Sequence, residues 1–196
     1  MSSQLAEQFI TPIEYLLQER QAATKSEYFN GRIYAMAGAS RSHNRITLNL
    51  SAMLHSQLKG SVCEPFAGDM RVKVSSTGLY TYPDVVVVCG DPKFEEQPVD
   101  TLLNPTLIIE VLSTSTEIYD RVDKFAHYQT LESLTDYLLI AQNRPRIEHY
   151  QRQSATQWLY SSIEGVEKHV DITTINCTLS LTEIYARVVF PAVAIR

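Results

Sequence analysis

Residues 106–112 read TLIIEVL, and this stretch decides the fold. An apolar, β-branched run that does not alternate is the pattern of a strand covered on both faces. Glu110 interrupts it. A carboxylate buried without a partner is costly, so a metal, a basic side chain or a proton must compensate for it. A plainer reading puts Glu110 at an exposed strand end or beside an Arg or Lys. The run DVVVVC at residues 84–89 does not alternate either. Pro83 precedes it, fixes φ and withholds a sheet donor, so it marks a strand start and sets Asp84 at the sheet's edge. Asp84 also fits a simple turn or cap. Taken together, two carboxylates on neighbouring core strands suit one hard divalent cation, because Mg²⁺ takes oxygen ligands and keeps several waters.

The flanking sequence supplies the covering layers. Thr11-Pro12 predicts a helix start over residues 11–21, with Ile13, Leu16 and Leu17 on one face. Asn30-Gly31 predicts a hairpin over residues 27–36. Residues 42–58 predict a long helix with Ile46, Leu48, Leu50, Met53, Leu54 and Leu58 apolar. Residues 70–74 alternate apolar and basic, which predicts a half-exposed strand, and residues 90–104 predict a surface loop. Residues 117–131 read as helix, residues 135–141, 146–152, 157–161 and 169–172 as strands, and residues 181–188 as a last helix capped by Ser180 or Thr182. The fold class is therefore mixed α/β (α+β), a central mixed sheet flanked by helices.

Composition narrows the function classes. The 196 residues, 44% hydrophobic and 20% charged, predict a single domain over 1–196 with its core at about residues 12–190, and they exclude disorder. The net charge of −5 argues against a tight, non-specific nucleic-acid binder but leaves room for a local basic groove. No apolar run approaches the ~20 residues of a membrane span, and the first residues lack a signal-peptide pattern. Cys63, Cys89 and Cys177 form no CxxC pair. They read as small core residues of a cytoplasmic, reducing compartment, neither disulfides nor structural zinc ligands.

Lys124 is the third candidate. It shares a helical face with His127, Tyr128 and Leu131, and a lysine beside two metal-bound carboxylates can orient a water or offset developing charge. The alternative is an Asp120–Lys124 pair on the helix surface. Asp69 fits either a third carboxylate or a Gly68-Asp69 turn. Glu27, before the hairpin, reads as a surface residue with a secondary claim on the cleft. His43 fits phosphate donation, capping or plain exposure. Arg41, Arg45, Arg71 and Lys73 fit contacts to a DNA backbone or a solvated charged face.

Pro83-Asp84 and Glu110 resemble the motif of the PD-(D/E)XK nuclease superfamily, whose fold is restriction-endonuclease-like. More closely, the chain resembles the Uma-two family of endonuclease-like proteins. The shared features are Gly31-Arg32-Ile33-Tyr34-Ala35-Met36-Ala37-Gly38, His43, Tyr82-Pro83-Asp84-Val85, residues 110–116 (EVLSTST), Asp120-Arg121, Lys124-Phe125, Tyr137-Leu138-Leu139-Ile140 and Arg144-Pro145-Arg146. Two departures stand out. The superfamily lysine falls two residues after the acid, where this chain has Leu112, and the Uma-two pattern carries it at Lys124 instead. Thr114 stands where the family usually has proline, which implies a looser turn. The resemblance implies Mg²⁺-dependent (or Mn²⁺-dependent) hydrolysis of DNA phosphodiesters. Asp84, Glu110 and the Val111 backbone carbonyl would bind the metal, and Lys124 would position the nucleophile. A catalytically inactive binding or scaffold protein of the same fold is the alternative, in keeping with the acidic charge and Leu112. Residues 146–172 and the last helix, with Tyr150, Trp158, Tyr160, Tyr185 and Phe190, extend the sheet or build a homodimer contact, and two-fold symmetry suits an enzyme that cuts both strands.

Overall fold

The computed structural model describes residues 9–95 and 98–190. Helix α1 (Pro12–Glu19) opens with proline and a reciprocal capping box, in which the Thr11 N–H donates to Glu14 Oε2 (2.7 Å) and the Glu14 N–H to Thr11 Oγ1 (3.3 Å). Its buried face differs from the expected one. Ile13 and Leu17 are exposed, whereas Tyr15 and Glu19 are buried. An aromatic cluster decides this. Tyr15 stacks on Tyr28 at 5.0 Å between centroids, lies against Tyr80, and donates to the Ser26 carbonyl.

Strands β1 (Ser26–Phe29) and β2 (Arg32–Ala35) form the hairpin, with Asn30 and Gly31 both at positive φ (49° and 81°) as a type I′ turn requires. Helix α2 (Arg41–Leu58) is capped by Ser40, whose Oγ accepts from the His43 N–H at 3.1 Å. It therefore starts one residue earlier than predicted, which puts Arg41 and Arg45 on one helix face. Leu48 is exposed, and the other apolar residues named for this helix are buried.

Next come β3 (Cys63–Ala67), β4 (Arg71–Val74), β5 (Leu79–Thr81), β6 (Val85–Cys89), β7 (Thr101–Leu102) and β8 (Leu107–Leu112). Helix α3 (Glu117–Tyr119), a π-helical turn (Asp120–Lys124) and α4 (Phe125–Tyr128) run on as one helix. Then follow β9 (Asp136–Ala141), β10 (Arg146–Arg152), β11 (Trp158–Glu164), β12 (His169–Ile172), β13 (Cys177–Ser180) and the short α5 (Leu181–Ile184). Strand β13 is not predicted by the sequence reading, and α5 has half the predicted length, because residues 177–180 pair with β12 and the chain turns away after Tyr185.

The central sheet has the order β11-β10-β9-β8-β6-β3, with β8 and β9 parallel and the other pairs antiparallel. Leu107, Ile109 and Val111 pack on one face with α2, β12, β13 and α5. Ile108 and Leu112 pack on the other with Tyr128, Leu131 and the second sheet, of order β2-β1-β5-β4-β7. Both faces are covered, so neither core run alternates.

Two expectations are corrected here. Strand β4 is largely buried, not half exposed, because the β7 segment of the 90–104 loop pairs with it in parallel. Arg71 lies within it at 2% exposure. Cys63 and Cys89 form a disulfide, and only Cys177 is a free buried thiol. The antiparallel register sets Cys63 directly opposite Cys89. Pro65 interrupts CEPFA and hides β3 from a sequence reading, and with it this pairing. Alkylation of the unfolded, unreduced chain is accordingly expected to label Cys177 alone, whereas labelling of all three cysteines would contradict the cross-link. A cross-link between residues 26 apart is worth about 3 kcal/mol, so reductant should lower Tm by several degrees. Among the described residues, no helix is long and apolar enough to cross a membrane.

Candidate active site

The register of β6 against β8 builds the site. Val85 pairs with Ile109, so one step further sets Asp84 opposite Glu110. Directly opposed residues of an antiparallel pair project to the same side. The Asp84 carboxylate takes the place of a ladder partner: its Oδ2 accepts from the Val111 N–H at 2.7 Å. His43 Nε2, from the first turn of α2, lies 3.1 Å from the same oxygen. His43 is thus bound to the candidate acid, and its backbone N–H serves the cap.

Glu110 is buried beneath the helix that runs from α3 to α4. Lys124 Nζ approaches its Oε1 at 3.1 Å and the Tyr128 hydroxyl donates to the same oxygen at 2.8 Å. Each of the two acids therefore has one oxygen held by protein donors. Among the described residues, neither Asp84 Oδ1 nor Glu110 Oε2 is seen to receive a hydrogen bond.

Lys124 is buried, which corrects the reading of a surface pair with Asp120. Asp120 Oδ1 does lie 3.3 Å away, but both groups are inside. Glu27 is also corrected: it is buried, with its Oε1 3.1 Å from Lys124. Thr81 Oγ1 donates to Glu27 Oε1, and the Tyr119 hydroxyl donates to Oε2 at 3.2 Å. The π-helical turn carries Asp120 and Lys124, and such turns recur at functional sites. Three carboxylates thus surround one ammonium, with a fourth, Asp84, nearby.

The electrostatics follow from that excess. Burial pushes the Glu110 pKa up to about 8; Lys124 opposes the shift, and Asp120, Asp84 and Glu27 add to it. Burial works to lower Lys124, yet Glu110, Glu27 and Asp120 hold it well above its ordinary value, so it stays charged. Burial also raises Asp120, Tyr128 and Tyr137.

A divalent cation fits this donor set. It would offset the surplus negative charge and use the two free carboxylate oxygens, and waters would complete its shell. Among the described residues, no three or more His, Cys, Asp or Glu side chains are grouped so as to hold a metal ion by themselves.

Other candidates fall elsewhere. Asp69 is exposed in a turn and pairs with Lys25 at 3.0 Å, so it is not a third carboxylate of the cleft. Arg71 is spent on Thr101, Tyr82 and Asp100 at 2.7–2.9 Å, and Lys73 on Glu95, which removes both as backbone contacts. Arg41 is exposed and Arg45 half-buried at the start of α2, the end that carries His43. The 113–116 turn is tighter than Thr114 implies, because Ser113 Oγ meets Thr116 Oγ1 at 2.9 Å and accepts from the Thr116 N–H. Sequence reading misses Thr81 and Tyr119, which carry no local signal. Tyr128 has one, its four-residue offset from Lys124.

The comparisons with known proteins agree with this architecture. The family model described as "Putative restriction endonuclease" matches residues 12–182. An uncharacterized protein of Synechocystis sp. (sll1609) is 42% identical over 164 residues, covering 84% of this chain and 93% of the relative. A second from the same organism (slr1290) is 35% identical over 181 residues, covering 92% and 94%. A crystal structure described as a putative nuclease belonging to DUF820, from Anabaena variabilis, superposes with a TM-score of 0.74 at 19% identity, covering 92% of this chain and 99% of that one. At that identity the likeness establishes the fold. The match over most of its length, together with two relatives above a third identical, makes the chain a member of the Uma2 family, described as putative restriction endonucleases.

Proposed function

We propose that this chain is a metal-dependent endonuclease that hydrolyses DNA phosphodiester bonds. The observation that carries the reading is the pair of opposed acids, Asp84 and Glu110, each with one oxygen fixed by the protein and one without a donor among the described residues. The family description and the nuclease description of the structural neighbour point the same way. Asp84, Glu110 and the Val111 carbonyl would hold Mg²⁺ or Mn²⁺. When bound, the cation lowers the pKa of a water and polarises the phosphate. Lys124 positions the attacking oxygen and offsets charge on the phosphate. Glu27 and Asp120 fix the ammonium, Tyr128 and Lys124 orient the Glu110 carboxyl, and His43 and the Val111 N–H orient Asp84. Arg41 and Arg45 offer positive charge to the DNA backbone. The enzyme works as a homodimer, with one site for each strand.

The test is incubation of supercoiled plasmid with the protein in Mg²⁺ or Mn²⁺ and in chelator. Nicked and linear products with metal alone are expected. No cleavage of plasmid or linear duplex with either cation would overturn the reading in favour of a binding or scaffold protein, the role that Leu112 at the usual lysine position favours.

A pH dependence follows. Glu110 faces Lys124, Tyr128 and Asp120 on the helix, Glu27 on β1, Asp84 before β6 and Tyr137 on β9. Its folded pKa of about 8 lies above the unfolded value, so the folded state binds the extra proton between those values. Stability from this group falls as pH rises through that window. Metal binding must displace the proton, so affinity should rise by up to about tenfold per pH unit below 8 and then level off. Calorimetry at pH 7 in buffers of different ionisation enthalpy should show about one proton released per metal. A buffer-independent heat would contradict the assignment.

A further inference from the structure

We infer that β11 is the surface through which two copies of this chain associate, strand against strand about a two-fold axis at Ser161. An edge strand presents a row of unpaired N–H and C=O groups, and soluble proteins usually shorten, charge, bulge or block such edges. Three of the four edges of the two larger sheets are protected in this way. Strand β3 has Pro65 at its centre, β2 is four residues long, and β7 is two residues long.

Of these devices strand β11 has only a charge at its end, Glu164. It runs for seven residues, WLYSSIE, without Pro, Lys, Arg or Gly, and its register with β10 is unbroken from Trp158 to Glu164. Its outer edge has no strand neighbour among the described residues. Leu159 and Tyr160 are 53% and 48% exposed on it.

The occupant is a second copy because the strand complements itself. Antiparallel pairing centred on Ser161 sets Leu159 opposite the partner's Ile163, Tyr160 opposite the partner's Ser162, and Trp158 opposite the partner's Glu164. No like charges meet. The rows continue inward with matching chemistry. Within one chain Glu164 already stands opposite Arg146 in the register, and Trp158 opposite Arg152, whose guanidinium lies 4.3 Å from the indole. Each end of the interface would therefore read Arg146, Glu164, then Trp158 and Arg152 of the other copy, an acid between an arginine and a cation-bearing ring. Apolar pairs on either side of Ser161 cover the exposed Leu159 twice. The central sheet then runs through twelve strands. This inference names the surface for the homodimer but rests on no part of the nuclease reading.

The test is the mass of the full chain in solution, by light scattering and sedimentation at tens of micromolar. Wild type should have twice the chain mass. Ser161→Lys sets two ammonium groups opposite each other and should give a monomer, as should Ser161→Glu with two carboxylates. An equimolar mixture of the two should regain the dimer. A wild-type circular dichroism spectrum and a cooperative melt would show that the variants fold. Ser161→Cys provides a check without added charge: mild oxidation should cross-link it at the axis into a dimer. A monomeric wild type would overturn the inference, including the case in which β11 instead receives a strand of another protein. A dimer that persists in both charged variants, or a Ser161→Cys protein that does not cross-link, would also overturn it.

Discussion

Asp84→Ala and Glu110→Ala should each slow DNA cleavage by at least about 10²–10³-fold, the scale of removing one preorganised group from a site of charge stabilisation. The two losses have different side effects. Asp84 is partly exposed and holds the Val111 N–H and His43, so its removal frees one sheet donor where water can reach it. Glu110 is buried and faces Lys124, yet Glu27 and Asp120 remain to compensate that ammonium. Both variants should therefore fold, and circular dichroism and melting would confirm it. Asp69→Ala is the control: its carboxylate is exposed and, among the described residues, paired with Lys25 alone, so cleavage should stay within about twofold. A Glu110→Ala protein that cuts at the wild-type rate would remove this carboxylate from the chemistry.

Lys124→Ala should have the largest effect on stability. The substitution leaves Glu27, Glu110 and Asp120 buried together with no cation between them. Breaking a buried pair from one side costs about 3–5 kcal/mol, and a chain of this length loses roughly 2–4 °C in Tm per kcal/mol. A fall of about 10 °C is therefore expected near neutral pH. The loss should shrink as pH falls, because protonation of the carboxylates removes the repulsion. Lys124→Met combined with Glu27→Gln should recover part of the stability by removing one of the stranded carboxylates, but not the cleavage activity. Denaturant melts of the single and double variants at two pH values check this. A single variant as stable as wild type would mean that the three carboxylates do not depend on Lys124.

The parts of this protein legible in its sequence are those with local causes. The unalternating runs around Glu110 and after Asp84 reflect a sheet covered on both faces, and that covering is present. Asn30-Gly31 and Thr11-Pro12 act within a turn of chain, and the hairpin and first helix stand where those residues put them. Features that depend on distant partners are not legible. Nothing near Glu27 announces that it meets Lys124 across the cleft. Arg71 alternates with valines like a solvent-facing residue, yet Asp100, Thr101 and Tyr82 draw it inside. Cys63 finds Cys89 only once β3 pairs with β6. Glu110 could be named because a carboxylate inside an apolar strand is an anomaly at any distance, and Asp84 because Pro83 marks a strand start. The groups that hold Lys124 are ordinary residues made unusual by packing.

The proposed chemistry requires Asp84 and Glu110 together to hold one divalent cation. Calorimetric titration of Mn²⁺ into wild type, Asp84→Ala, Glu110→Ala and Asp69→Ala at pH 8 tests it most directly. One site is expected in wild type and in Asp69→Ala, and its loss in each of the other two. Equal binding in all four proteins, or no binding by folded wild type at millimolar metal, would contradict it.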